Sequence, residues 1–109
     1  MTSPLAAEVR PEADGVRIIL TGRIDRDGDD AMTGAYAKAR TTGSGPITLD
    51  FTATGYINST GIALIVRLLA EARRDGRPVQ AYGLTEHYRE IFRITRLSDF
   101  MEIVEGDAA

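Results

Sequence analysis

Three short runs rich in β-branched residues alternate with two longer segments whose apolar residues recur at helical spacing, and this alternation constrains the fold most. The runs are 16–21 (VRIILT), 47–51 (ITLDF) and 78–82 (PVQAY). Between the first two, Met32, Ala35, Tyr36 and Ala39 fall on one helical face; between the next two, Ile62, Ile65, Val66, Leu69 and Ala72 do the same, and Leu64 and Leu68 widen that stripe. Strands joined by helices of this length pair in parallel through right-handed crossovers. With 109 residues, such a chain has room for one α/β domain and one core.

Local signals place the boundaries. Val9 begins a short edge strand ahead of a turn at 11–15 (PEADG), and Gly22 ends the strand 16–21. The first helix starts at Asp29 or Asp30, where acids complement the positive end of the helix dipole, and Lys38 and Arg40 suit its other end. Residues 41–46 (TTGSGP) and 52–56 read as loops. The second helix finishes on a polar face, Glu71, Arg73, Arg74 and Asp75, and stops at Gly76. Gly83 ends the strand 78–82, and Thr85 caps a third helix, 86–94, that buries Tyr88, Ile91 and Phe92. Leu97, Phe100, Met101, Ile103 and Val104 form an apolar tail that closes the core, and one domain spans 1–109 with flexible ends at 1–8 and 106–109.

Composition removes most chemistry. Without cysteine there is no disulfide scaffold, thiol nucleophile or thiolate metal site, and a single histidine, His87, leaves no multi-histidine site. A net charge of −3 and the lack of tryptophan argue against a nucleic-acid surface. The apolar run 62–66 is cut by Arg67, far short of the ~20 residues of a membrane span. Residues 1–7 do not form a signal peptide, so the expected location is cytoplasmic.

The informative stretch is 49–66 (LDFTATGYINSTGIALIV). A strand ends, a loop follows, and two hydroxyls, Ser59 and Thr60, stand where a helix begins. Either is a suitable N-cap, and the free N–H groups beyond it favour an anion. A phosphoryl group there would add about −1.5 to −2 charges to one exposed spot without opposing the helix. The plain reading is that the two residues cap a helix and do nothing more. Hydrolase chemistry lacks a Gly-x-Ser-x-Gly elbow, the segment 41–45 lacks the lysine of a nucleotide-binding loop, and the sequon Asn58-Ser59-Thr60 is silent without secretion. Asp50 points to solvent or caps the adjacent loop, and Tyr56 packs within the core or loop. Arg89, Arg93 and Arg96 share a solvated face of the last helix, and Arg67, Arg73, Arg74 and Arg77 are surface charges.

These residues resemble a known family. A strand ending Leu49-Asp50-Phe51, the run 57–64 (INSTGIAL), the upstream 21–25 (TGRID), the downstream 76–79 (GRPV) and Ile91-Phe92 through Leu97 are together similar to the STAS domain of bacterial anti-sigma factor antagonists, over roughly 9–105. The resemblance implies a mixed sheet of four or five strands with helices packed mainly on one face. It implies a non-enzymatic transcription regulator of the stress-response kind, with no catalytic residue, metal or cofactor. Its partner would be an anti-sigma factor with serine kinase activity. Phosphorylation of Ser59, with Thr60 as the alternative acceptor, would break the complex, and a phosphatase would restore it. Asp25, Asn58, Thr60 and Gly61 would meet the partner, and the acids of 25–30 would present a negative surface to it. Neither membrane nor nucleic acid enters the scheme, and the protein would be a monomer or weak dimer. Where the family usually has aspartate before the acceptor serine, this chain has Asn58; Thr60 replaces the commoner second serine. Two other roles for the same fold are a stressosome-type scaffold subunit and a small-ligand- or lipid-binding module.

Overall fold

The computed structural model describes residues 3–104, and its elements follow the alternation read from the sequence: β1 (Ala6–Glu12), β2 (Gly15–Ile24), a 3₁₀ turn (Arg26–Gly28), α1 (Asp29–Thr42), β3 (Ile47–Asp50), β4 (Thr54–Ile57), α2 (Ser59–Arg74), β5 (Val79–Tyr82), α3 (Glu86–Ile94), a second 3₁₀ turn (Leu97–Asp99) and β6 (Glu102–Ile103). The sheet has six strands in the order β1-β2-β3-β5-β6, with β4 also paired to β2. Only β1 is antiparallel to its neighbour; every other pair is parallel, as the helical crossovers require.

Parallel register puts Val16, Ile18 and Leu20 of β2, Ile47 and Leu49 of β3, and Val79 and Ala81 of β5 on one face, all at most 5% exposed. Helix α1 adds Met32, Ala35, Tyr36 and Ala39 to that core, and α2 adds Leu64, Ile65, Leu68, Leu69 and Ala72. From α3, the fully buried Phe92 meets Phe51 edge to face at 5.7 Å. Each fully buried Leu, Ile, Val or Phe contributes about 1.5–3 kcal/mol of transfer free energy, so this layer carries the fold. The opposite face alternates to polar groups such as Arg17, Thr48, Asp50 and Gln80, which places the helices on one side of the sheet.

The structure differs from the expectations at several points. Gly22 does not end β2. It lies at φ +101 with a register shift beside it, and the strand continues to Ile24. A Cβ at Gly22 would stand 2.6 Å from the carbonyl oxygens of Ser3 and Pro4, so glycine admits a bulge where a second segment crosses closely. Residues 54–56 of the segment read as loop join Ile57 in β4, which takes up the pairing of β2 where β3 leaves it. Val66 is 46% exposed, because the buried stripe of α2 is centred on Leu64, Ile65, Leu68, Leu69 and Ala72, and Val66 lies past its edge. Helix α3 stops at Ile94, so Arg96 is not on its face; it lies beyond it at φ 67, and Phe100 of the apolar tail is 55% exposed while Leu97 and Met101 are buried. Of the expected N-terminal end 1–8, residues 6–8 belong to β1, which is seven residues long; residues 1–2 and the expected end at 106–109 lie outside the described residues.

Candidate functional site

The segment 57–61 is fixed from three sides. The phenol of Tyr88 on α3 accepts a hydrogen bond from the Ile57 amide at 3.0 Å. The Asn58 amide donates to the Ile24 carbonyl at 3.2 Å, which holds Asn58 extended as the chain leaves β4. Gly61 packs directly on the same peptide: a Cβ there would come within 2.0 Å of the Ile24 carbonyl oxygen. Any side chain at Gly61 would push the first turn of α2 off β2, so this glycine sets how deeply the turn sits.

The cap of α2 is Asn58, not Ser59 or Thr60. Its Oδ1 accepts from the Gly61 amide at 2.8 Å, and its carbonyl accepts from the Ile62 amide at 2.9 Å. Ser59 and Thr60 are therefore the first two helical residues. Both are exposed, and neither hydroxyl is hydrogen-bonded to another described residue. The cap leaves the Ser59 hydroxyl free at the positive end of a sixteen-residue helix.

Thr60 and Asn58 line a pocket of about 260 Å³ with Asp25, Arg26 and Asp27. The structure thus brings Asp25, Asn58 and Thr60 together, while Gly61 lies buried beneath them as a packing residue. Asp25 caps the first 3₁₀ turn by accepting from the Asp27 amide at 3.0 Å, and it pairs with Arg23 at 2.7 Å. Arg23 also lies 3.7 Å from Asp27. Asp29 pairs with Arg67 of α2 and accepts from Thr33, and the Arg67 guanidinium holds the Asp29 carboxyl below the usual carboxylate range. Within the segment 25–30, read as a negative surface, Arg23 of β2 thus pairs with Asp25 and reaches Asp27, and Arg67 of α2 pairs with Asp29.

Other candidates fall elsewhere. Asp50 lies on the helix-free face, where it caps the following loop through the Thr52 amide at 3.0 Å and pairs with Arg17 at 2.7 Å. Burial opposes its charge, but the Thr52 hydroxyl and amide and the Arg17 guanidinium outweigh that and hold its pKa below the ordinary value. His87 is exposed with its ring against Tyr88. Tyr56, expected to pack inside, is 48% exposed on β4, two residues before the cap. Arg26, which the sequence reading passed over, lines the pocket beside Thr60. Its only signal in the sequence is its place directly after Ile24-Asp25.

A family model described as "Mlab, STAS domain" matches residues 7–105. The chain belongs to the STAS domain family. A protein of Listeria monocytogenes named anti-sigma-B factor antagonist is 28% identical to this STAS domain over 98 residues, covering 88% of this chain and 86% of the relative. An anti-sigma factor antagonist from Mycobacterium paratuberculosis superposes with a TM-score of 0.80 at 13% identity, over 97% of this chain and 92% of the other. The Bacillus cell fate determinant SpoIIAA in its phosphorylated form superposes with a TM-score of 0.68 at 17% identity, over 92% of each chain. At these identities the two structures speak for the fold. No helix among the described residues is long and apolar enough to cross a membrane.

Proposed function

We propose that this STAS domain is an anti-sigma factor antagonist that works by partner switching. Its partner is an anti-sigma factor with serine kinase activity, engaged through the surface around Asp25, Asn58 and Thr60. The observation that carries the reading is the division of labour at the start of α2: Asn58 supplies the cap, so the exposed Ser59 hydroxyl is spare. Because Asn58 makes the capping bond, modification of Ser59 leaves that bond untouched. The name of the Listeria relative and the phosphorylated form of SpoIIAA support the same assignment.

The chemistry is electrostatic. A phosphate on Ser59 stands at the positive end of α2 and is tolerated by the fold. It also places about −1.5 to −2 charges on a surface where Asp25 and Asp29 are already paired, so the local potential changes sharply. A partner that accepted the neutral hydroxyl must then desolvate a dianion, and the complex opens; a phosphatase reverses the change. The domain acts as substrate and ligand, not as an enzyme. Incubated with ATP and its cognate kinase, the wild-type chain gains the mass of one phosphate and Ser59→Ala gains none. An unchanged uptake by Ser59→Ala refutes Ser59 as the acceptor, and uptake lost only in Thr60→Ala transfers the role to Thr60.

A further inference from the structure

A second concave site lies at the far end of α2 from Ser59. It is a groove of about 680 Å³ between the C-terminal half of α2 and the turn that follows α3. Small-molecule sites commonly have volumes of about 300–1,000 Å³. From Val66 to Arg73 it runs roughly 10 Å along the helix, taking the rise per residue. Its floor is apolar, with Leu69, Val79 and Leu97, and its lip carries Val66 and Phe100, two of the largest apolar side chains left in solvent, at 46% and 55% exposure. Exposed apolar groups gathered at a concavity mark a binding site more often than scattered ones do.

The charge of the groove runs against that of the chain. Three arginines and one aspartate line it, while the whole protein carries −3. The polar groups are mostly committed. The Thr95 hydroxyl donates to the Ile91 carbonyl, Asp99 accepts from Arg96, and the Arg77 guanidinium donates to the carbonyls of Ala39 and Gly45. Arg73, like Arg77, makes no ion pair among the described residues, but it also makes no side-chain hydrogen bond there, and its guanidinium lies over the Phe100 ring at 5.8 Å. The lining thus offers an apolar floor beside Arg73 and Arg77, neither of them ion-paired among the described residues and the latter with a buried Nη2 that has no partner, while its one carboxylate, Asp99, is already paired with Arg96. Two copies of the chain docked groove to groove would set like charges against each other.

The geometry points to a binding site for a small amphipathic carboxylate, an acyl chain or comparable apolar body carrying one anionic group, with the tail over Leu69, Val79 and Leu97 and the carboxylate at Arg73. It does not depend on Ser59, since Val66, the nearest groove residue on α2, is about 10 Å along the helix from Ser59.

The test is methyl-resolved NMR titration of the full chain with sodium decanoate below its micelle concentration, alongside decan-1-ol and decyltrimethylammonium bromide. The site predicts saturable shifts confined to Val66, Leu69, Val79 and Leu97, with decanoate binding tightest and the ammonium amphiphile weakest. Arg73→Gln should weaken decanoate about fivefold and leave decan-1-ol unchanged, because an exposed ion pair is worth up to about that factor. Phe100→Ala, also at a solvent-exposed position, should weaken both. Equal affinity for the three amphiphiles, shifts spread over the surface, or no saturation overturns the proposal. So does a ligand-free dimer by sedimentation whose contact shifts map to this groove, or an acidic amphipathic peptide that fills it at lower concentration than decanoate.

Discussion

Replacing Asn58 separates the cap of α2 from the chemistry of Ser59. Asn58→Ala removes the acceptor for the Gly61 amide, a 2.8 Å bond, while the backbone bond from Ile62 to the Asn58 carbonyl survives. Loss of an N-cap side chain costs about 1 kcal/mol. For a domain of 109 residues, with about 2.1 cal/mol/K of unfolding entropy per residue, that lowers Tm by about 4 °C. Asn58→Asp keeps the acceptor and adds a charge at the positive end of the helix, a gain of about 0.3–1 kcal/mol at low salt. Asp25 and Asp27 share the pocket, which holds the gain to the lower part of that range. The gain should fade at 1 M salt, where the screening length is about 3 Å. Urea denaturation at low and high salt measures both variants, with unchanged m-values showing that only stability has moved. An Asn58→Ala protein within about 0.3 kcal/mol of wild type would refute the assignment of the cap. An aspartate variant less stable than the alanine one at low salt would refute the electrostatic part.

Three further substitutions probe what holds the site. Gly61→Ala gains helix propensity but drives a Cβ into the Ile24 carbonyl, so it should lose about 2 kcal/mol or more by urea melting; a stabilised variant would mean that the first turn of α2 is not pinned to β2. Tyr88→Phe leaves the Ile57 amide without its phenol partner and should cost about 1–3 kcal/mol, with amide exchange at Ile57 accelerated more than at Leu49; uniform exchange would contradict the tie. Asp50 has a lowered pKa in the folded state, so its contribution is present above the unfolded value near 3.8 and is lost as pH falls below it. Asp50→Asn should therefore be less stable than wild type at pH 7 by about 1 kcal/mol, discounted for its partly solvated partner Arg17, and the two urea midpoints should draw together as pH falls below 3.8; parallel curves would show that Asp50 does not titrate in this range.

The parts of the fold set by periodicity were readable from the chain. The stripe at Met32, Ala35, Tyr36 and Ala39 is a local pattern that faces the sheet as spacing demands, and so are Ile65, Leu69 and Ala72 with Leu64 and Leu68 beside them, whereas Ile62 is half-buried and Val66 lies past the edge. What escaped depended on tertiary contacts. Four residues, Thr54–Ile57, carry no alternation that marks a strand, and β4 exists because β2 offers it an unpaired edge beyond Ile19. Gly22 signals a break by composition, but two flanking segments hold the strand together across it. The same holds at the site. Asn58, Ser59 and Thr60 can each cap a helix, and nothing local ranks them; the bond from the Asn58 amide to Ile24 decides where the helix begins. The pairing of Asp29 with Arg67 was equally hidden, because Arg67 comes from a helix 38 positions away along the chain.

The central claim is that one phosphate on Ser59 turns a binding surface into a non-binding one. Titration calorimetry of the cognate serine-kinase anti-sigma factor, against the unmodified chain and against chain phosphorylated to one equivalent at Ser59, measures the effect. The account predicts a saturable complex with the unmodified protein and an affinity at least about a hundredfold weaker after phosphorylation, the factor that roughly 2.7 kcal/mol of charge burial imposes. Equal affinities for the two forms, or tighter binding of the phosphorylated one, would contradict it.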